Sequence, residues 1–368
     1  MVNKKSYSHT TVEYGTNLLP VTSNLKNMPK LSFFTQSIAM DLGTANTIIM
    51  QDNQVIIDQP SVVAIRTADD TAIAVGKKAS AMIDRGEERI RTIRPLKDGV
   101  ISDYKACEKM IRGLIDLMPK KQKMFVPAVK MVVAIPSGST DAEIRTVKDS
   151  CTHAGARDLF LIYEPMAAAL GIGMDIEGPE GCMVVDIGGG TTEIAVMALG
   201  SLVVNQSIKV GGDAFNRDII QHMDKAHNMR ISAPTAERIK MRVGSALPEL
   251  DEAPEDMMVV GPNRTTDLPL HIPVSYQEIA FCLDKNIQQI EAAIKQGLGQ
   301  TPSELYADIV ERGIYLTGGG ALLHGLAKRL TDKFQIQFHV ADDPLHSVAK
   351  GTCLALENTD NFSFLIRN

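Results

Sequence analysis

Two short stretches of this chain place an aspartate at the end of an apolar run and follow it with glycine and threonine. The first reads Ile38-Ala39-Met40-Asp41-Leu42-Gly43-Thr44-Ala45-Asn46-Thr47, and the second Met183-Val184-Val185-Asp186-Ile187-Gly188-Gly189-Gly190-Thr191-Thr192-Glu193. A glycine turn lets backbone N–H groups approach phosphate oxygens with no Cβ in the way. Threonine hydroxyls and the Asn46 amide add further hydrogen bonds. The strand-terminal carboxylates suit the hydrated divalent cation that accompanies a nucleoside triphosphate. One such stretch alone could be only a tight hairpin, but two in matching contexts can clamp a polyphosphate from both sides. Neither a GxxxxGK[ST] loop nor a GxGxxG after a strand is present, so P-loop and Rossmann readings fail.

Three further groups could complete such a site. Leu316-Thr317-Gly318-Gly319-Gly320-Ala321-Leu322-Leu323 follows the apolar strand expected at 313–316 and puts bare backbone and a helix start at one spot, which suits a phosphate or the flat face of a base. In Thr235-Ala236-Glu237-Arg238-Ile239-Lys240, Glu237 and Lys240 share a helix face. They form either a solvated ion pair or a carboxylate and an ammonium that hydrogen-bond a ribose. Tyr163-Glu164-Pro165 places a carboxylate where a strand meets a helix, with the proline setting the first turn. Glu164 is either a helix-terminal charge or the group that polarises a water toward a γ-phosphate.

The elements that must position these groups alternate between strand and helix, which places the chain in the α/β class. Short strands are expected at 37–50, 54–59 and 61–66, and again at 182–187, 193–199 and 202–210, an internal repeat at the scale of half the chain. It predicts two similar halves with a cleft between them. Thr140-Asp141-Ala142-Glu143 is a capping-box pattern that starts a helix. The spacing of Ile279, Leu283, Ile287, Ile290 and Ile294 predicts a long helix over 276–296.

The whole composition narrows the function classes. The chain has 368 residues, 44% of them hydrophobic, enough for two sizeable cores. Its net charge of -6 argues against a general nucleic-acid binder. The five cysteines form no CxxC pair, and the eight histidines no HxxxH or His/Cys cluster, so neither a disulfide framework nor a structural zinc site is expected. No apolar run is long enough to span a bilayer, and no secretory signal opens the chain, so a cytoplasmic protein is expected. Residues 1–36 read as a mobile tail.

In combination these motifs resemble the phosphate-1, phosphate-2 and adenosine motifs of the actin/sugar-kinase/DnaK superfamily. More narrowly, the chain resembles the MreB family of bacterial actin homologues that set rod shape. Arg94-Pro95-Leu96-Lys97-Asp98-Gly99-Val100-Ile101, Val210-Gly211-Gly212-Asp213 and Ala236-Glu237-Arg238-Ile239-Lys240 match as well, and the resemblance covers roughly residues 37 to 358. It implies an actin-like ATPase fold of two RNase H-like halves with smaller inserted subdomains. Their expected bounds are 37–64, 98–180 and 345–368 for IA, 65–97 for IB, 181–214 and 280–344 for IIA, and 215–279 for IIB.

The same resemblance implies ATP and Mg2+ as ligands. Thr44, Ala45 and Asn46 would contact the phosphates from one side and Gly188, Gly189, Gly190 and Thr191 from the other. Asp41 and Asp186 would hold magnesium through water, and Glu164 with Thr191 would orient the hydrolytic water. Gly211, Gly212, Glu237, Ile239, Lys240, Gly318, Gly319, Gly320, Ala321 and Leu322 would surround ribose and adenine. Two departures stand out: Ala214-Phe215-Asn216 replaces the family's usual acidic pair, and Tyr163 stands where many relatives have a second glutamate.

The implied function is a slowly hydrolysing cytoskeletal protein. Its filaments would lie at the inner face of the cell membrane and guide cell-wall synthesis with cell-shape membrane proteins. A small-molecule kinase of the same superfamily is the alternative. The anionic membrane surface would be met by Leu31, Phe33 and Phe34 near Lys30, and by Met124 and Phe125 after Lys120, Lys121 and Lys123.

Overall fold

A computed structural model describes residues 35–83, 89–119 and 128–367. Residues 1–34 of the expected tail, and with them Leu31, Phe33 and Phe34, lie outside the described residues, as do Met124 and Phe125. The first half runs β1 (Thr35–Leu42), β2 (Asn46–Gln51), β3 (Gln54–Pro60), β4 (Val63–Arg66), β5 (Ala72–Val75), α1 (Gly76–Ser80), β6 (Ile90–Ile93), β7 (Leu96–Lys97) and β8 (Val100–Ile101). It continues through α2 (Tyr104–Asp116), β9 (Ala128–Ile135), α3 (Asp141–His153), β10 (Ala156–Tyr163) and α4 (Glu164–Ile172).

The second half opens with β11 (Cys182–Ile187), β12 (Thr192–Ala198), β13 (Ser201–Ile208), α5 (Gly212–His227), α6 (Ala233–Val243), β14 (Met257–Pro262) and β15 (Pro269–Val274). There follow α7 (Tyr276–Gln300), α8 (Ser303–Arg312), β16 (Ile314–Thr317), a 3₁₀ turn at Gly319–Leu322, α9 (Leu326–Phe334) and β17 (Phe338–Val340). The chain then returns through α10 (Ser347–Glu357) to β18 (Ile366–Arg367), which pairs with β10 of the first half.

The two large sheets repeat one topology. In the first, β10, β9 and β1 run parallel and β1 continues antiparallel into β2 and β3. In the second, β17, β16 and β11 run parallel and β11 continues antiparallel into β12 and β13. Asp41 and Asp186 therefore occupy equivalent places, each one residue before the end of its sheet's central strand. Ligands of open α/β sheets bind at the carboxyl ends of such strands. The smaller sheets are β5-β4-β6 and β7-β8 in the first half and β14-β15 in the second.

Local sequence explains most of the boundaries. The Asp52-Asn53 turn has both residues at positive φ (51° and 59°), the geometry that matches a hairpin's twist. The Thr140 hydroxyl accepts from the Glu143 N–H while Glu143 Oε2 accepts from the Thr140 N–H at 2.7 Å, completing the expected capping box at α3. The expected strand from residue 61 instead begins at Val63. Ser61 is diverted to brace the first hairpin: its hydroxyl donates to the Gly43 carbonyl at 2.6 Å, and its N–H donates to the Ala45 carbonyl.

The first half has a core built on Ile38, Met40, Ile49, Met110, Ile111 and Leu114, and the second on Phe215, Ile219, Met223, Leu283, Ile287 and Ile290. A further apolar cluster joins both sheets through α4 and α10: Ala39 and Val132 meet Val184 and Ala195 around Met166, Ala167, Ala349 and Cys353. Those two helices touch backbone to backbone. A Cβ on Gly351 would stand 1.7 Å from the Ala167 carbonyl oxygen, and one on Gly171 1.9 Å from that of Ser347. Glycine at the crossing thus fixes how closely the two sheets approach beneath the cleft.

Candidate functional site

The two Asp-Gly-Thr hairpins lie against each other. A Cβ on Gly189 would stand 2.6 Å from Ala45 Cβ, and one on Gly190 2.9 Å from Thr44 Oγ1. Each hairpin is tied down by its own half. Thr47 shares a hydrogen bond with Ser61 at 2.9 Å beside the first. The Thr192 hydroxyl donates to the Val210 carbonyl at 2.7 Å beside the second. The N-terminus of α5 also closes on the second hairpin, where the Gly212 and Asp213 N–H groups donate to the carbonyls of Gly188 and Gly189 at 3.0 and 2.8 Å. Gly211 is packed so tightly there that a Cβ would stand 2.7 Å from the Gly188 oxygen.

A third turn, given no role by the sequence reading, fits between them. Asp98 and Gly99 join β7 to β8 with φ of 51° and 80°. The Gly99 N–H donates to Thr44 Oγ1 at 3.1 Å, and a Cβ there would stand 2.8 Å from Thr191 Cγ2. Thr44 and Thr191 are thereby held from one point. The two halves are bonded again nearby. Ser137, just after β9, donates to Glu193 Oε2 from both its N–H (3.0 Å) and its hydroxyl (2.7 Å), and Asn205 donates to the Ser137 carbonyl at 2.8 Å.

Four carboxylates gather here: Asp41, Glu164, Asp186 and Glu193. Glu193, which follows directly after Thr191-Thr192 in the motif, is a site residue that the sequence motifs alone do not single out. Asp186 and Glu193 are buried, 6% and 1% exposed, and Asp41 and Glu164 are partly so. Burial pushes Asp186 up to about 8, with Glu193 and Asp41 adding repulsion. Burial likewise raises Asp41 to about 7, against a pull downward from His346. Glu164 is driven well above the usual carboxylate range by burial and then by Glu193, Asp41 and Asp186. Glu193 is raised by burial and partly relieved by the Ser137 hydrogen bonds.

Asp186 Oδ1 and Glu193 Oε1 find no hydrogen-bond partner in the protein. Buried charges are kept only when paired or bound to a metal. Orphaned, mutually repelling carboxylate oxygens form the hard donor set that a small divalent cation prefers, so these residues fit Mg2+.

The ribose-side residues also converge, with one exception. Lys240 Nζ donates to Glu237 Oε2 at 2.8 Å and to the Gly212 carbonyl at 3.4 Å. Asn216 Nδ2 donates to the same Glu237 oxygen at 2.6 Å, while its own Oδ1 is buried without a partner. The replacement of the family's acidic pair thus leaves an amide that joins the Glu237–Lys240 pair. Ile239 does not belong to the site. It is fully buried in the second-half core, because Ala236, Ile239 and Val243 form the inward face of α6. Gly318, at φ 76°, lies against the end of β11, where a Cβ would stand 2.4 Å from Asp186 Oδ1. Ala321 is buried beneath the turn, and Gly319 and Leu322 face solvent. Asn46 is exposed at the start of β2.

Comparison with known proteins agrees with this architecture. A family model described as MreB/Mbl protein matches residues 35–363. The cell shape-determining protein Mbl of Bacillus cereus is 39% identical over 328 residues, 89% of this chain and 97% of that protein. The cell shape-determining protein MreB of Escherichia coli K12 is 42% identical over 332 residues, 89% of this chain and 95% of that protein. The crystal structure of MreB5 of Spiroplasma citri bound to AMPPNP superposes with a TM-score of 0.82 at 33% identity, covering 89% of this chain and 97% of that one. The same protein has also been solved bound to ADP.

The raised acids make stability pH-dependent in a defined direction. A carboxyl that titrates higher when folded binds its proton more tightly in the native state, so stability falls as pH rises between the unfolded and folded values. For Asp186 that window runs from its ordinary 3.8 to about 8. Without nucleotide or divalent cation, Asp186→Asn is expected to melt above the parent at pH 8 and level with it near pH 4, read by differential scanning calorimetry. A parent that melts higher at pH 8 than Asp186→Asn would show that the aspartate is compensated within the protein.

Proposed function

Because the chain belongs to the MreB/Mbl family and has its actin-like fold, we propose that it is an ATP-binding, slowly hydrolysing cytoskeletal protein that polymerises into membrane-associated filaments controlling rod cell shape. The observation that carries this reading is the pair of braced hairpins in contact beside a cluster of carboxylates, two of whose buried oxygens find no hydrogen-bond partner. The relatives' names are those of cell-shape determinants, which does not favour the small-molecule kinase. The four-subdomain division given above, with the nucleotide between the halves, is part of the proposal.

Each group then has a role. Thr44, Ala45 and Asn46 approach the phosphates from the first hairpin, and Gly188 to Thr191 from the second. Asp41 and Asp186 hold Mg2+ through water. When bound, the ion supplies the positive charge that shields the phosphate oxygens. Glu193, fixed by Ser137, adds its negative charge to the cation's side of Asp186. Glu237, Lys240 and Asn216 hydrogen-bond the ribose, and the Gly318–Leu322 turn covers the adenine. Glu164 and Thr191 orient the attacking water, with Glu164 accepting its hydrogen bond. Because the site is built from both halves, nucleotide state can alter how they sit together and so couple to assembly.

At the membrane, Leu31, Phe33, Phe34, Met124 and Phe125 are proposed to enter the headgroup boundary beside their lysines. Each fully buried apolar side chain contributes ~1.5–3 kcal/mol, so a monomer binds weakly and a filament binds through many copies. Cell-shape membrane proteins and the cell-wall synthesis machinery are the proposed partners at the inner face of the membrane.

Two measurements test these assignments. Glu164→Ala is expected to bind fluorescent ATP as the parent does while its phosphate release falls ~10²–10⁴-fold, the usual contribution of a positioned base. Parental turnover would remove Glu164 from the water. With ATP, the parent should pellet without any added phosphate acceptor and co-sediment with anionic liposomes. A variant with Phe33, Phe34, Met124 and Phe125 all changed to Ser should bind ATP and pellet as the parent does without lipid, yet lose co-sedimentation of the anionic liposomes with it. Its undiminished co-sedimentation would exclude those residues as lipid contacts.

A further inference from the structure

Outside the nucleotide cleft, two histidines and a glutamate from distant parts of the chain meet at one point. His222 and His227 lie in the last two turns of α5, and Glu278 in the first turn of α7. His222 Nε2 stands 2.5 Å from Glu278 Oε1, and His227 Nε2 contacts the same oxygen. The two rings face each other edge-on with centroids 5.8 Å apart. One ligand atom from each residue falls within 4.8 Å of the other two. All three side chains are partly buried, 21–27% exposed, so their rotamers are held and yet an ion can reach them.

We propose that His222, His227 and Glu278 form a transition-metal site, with Zn2+ the ion the donor set favours. Two imidazole nitrogens and one carboxylate oxygen are the three-protein-ligand set of an open zinc centre, the fourth position being left to water. Tetrahedral zinc at ~2.0–2.1 Å keeps its ligand atoms about 3.3 Å apart, so the contacts must open by less than 1 Å. The C-terminal end of α5, at His227, carries the partial negative charge that favours a cation. Glu278 is fixed at the start of α7 by the Ser275 cap, whose hydroxyl accepts from the Glu278 N–H at 3.3 Å.

The site would act as a staple. Helix α5 runs from the Gly188–Gly189 carbonyls, which accept from its first N–H groups, to His227. A metal bridging its far end to α7 therefore fixes the helix whose near end closes on the second hairpin. No HxxxH spacing announces the cluster, because the histidines are five apart and the third ligand lies 51 residues beyond His227 in the sequence.

The test uses full-length protein stripped with EDTA and measured without nucleotide, so its outcome is independent of the nucleotide reading. One equivalent of Zn2+ is expected to raise the melting temperature, and Co2+ to give the intense visible d–d absorption of a low-coordinate centre. His227→Ala and the near-isosteric Glu278→Gln should each bind Zn2+ far more weakly, beyond the ~10–100-fold that even a lost outer-shell partner costs. Should His227→Ala fail to fold, Glu278→Gln carries the comparison. Weak octahedral-type Co2+ absorption, no thermal shift with Zn2+, or an equal shift in parent and Glu278→Gln would overturn the site.

Discussion

Asp41, Glu164, Asp186 and Glu193 are drawn into one region between two sheets, where burial raises their titration, the carboxylates repel one another and His346 offsets part of the rise at Asp41. Like charges at short range in a low-dielectric setting repel strongly, so such a cluster persists protonated or with a cation. The surrounding structure can be understood as what holds that cluster together. The repeated sheet topology delivers Asp41 and Asp186 to equivalent strand ends. Ser137 fastens Glu193 from the opposite half. The glycine crossing of α4 and α10 sets the distance at which the two halves meet.

Stability and function pull against each other here. Burying these acids lowers the stability of the unliganded protein at neutral and higher pH, the direction set by their raised titration. The same cost becomes binding energy for a cation that brings its own charge, by linkage. The hairpins express a similar bargain. Ala45 and Gly189 leave no space for larger side chains, and the Asp98-Gly99 turn adopts positive φ to reach both threonines. On the proposed reading, such a tight, pre-braced cradle would let backbone N–H groups face phosphates with little ordering left to do.

Much of this was legible in the sequence because the informative residues are local. Asp41 to Thr47 and Asp186 to Thr192 carry strand, turn and chemistry in one window, and their similarity gave the repeat that the sheets display. What stayed hidden depends on the third dimension. Glu193 looks like an ordinary strand residue until Ser137 is brought to it from 56 positions away. Asp98 and Gly99 belong to a family-like stretch with no assigned role until they touch Thr44 and Thr191. Ile239 sits between two site residues in sequence, yet the helical period turns it into the core. The His222, His227 and Glu278 cluster escaped for the same reason, since a spacing rule sees one helix and the ligands need two.

If the acids are held for a cation, they must give up protons when one binds. The direct measurement is calorimetric titration of the protein with Mg·ATP near pH 7 in buffers of different ionisation enthalpy. The dependence of the observed heat on the buffer counts the protons exchanged. Net proton release by the parent, reduced in Asp186→Asn, is the predicted result, because Asp41 and Asp186 titrate near 7 and 8 when unpaired. Tight Mg·ATP binding with no proton release, or with proton uptake, would contradict the carboxylate cluster as the cation's seat.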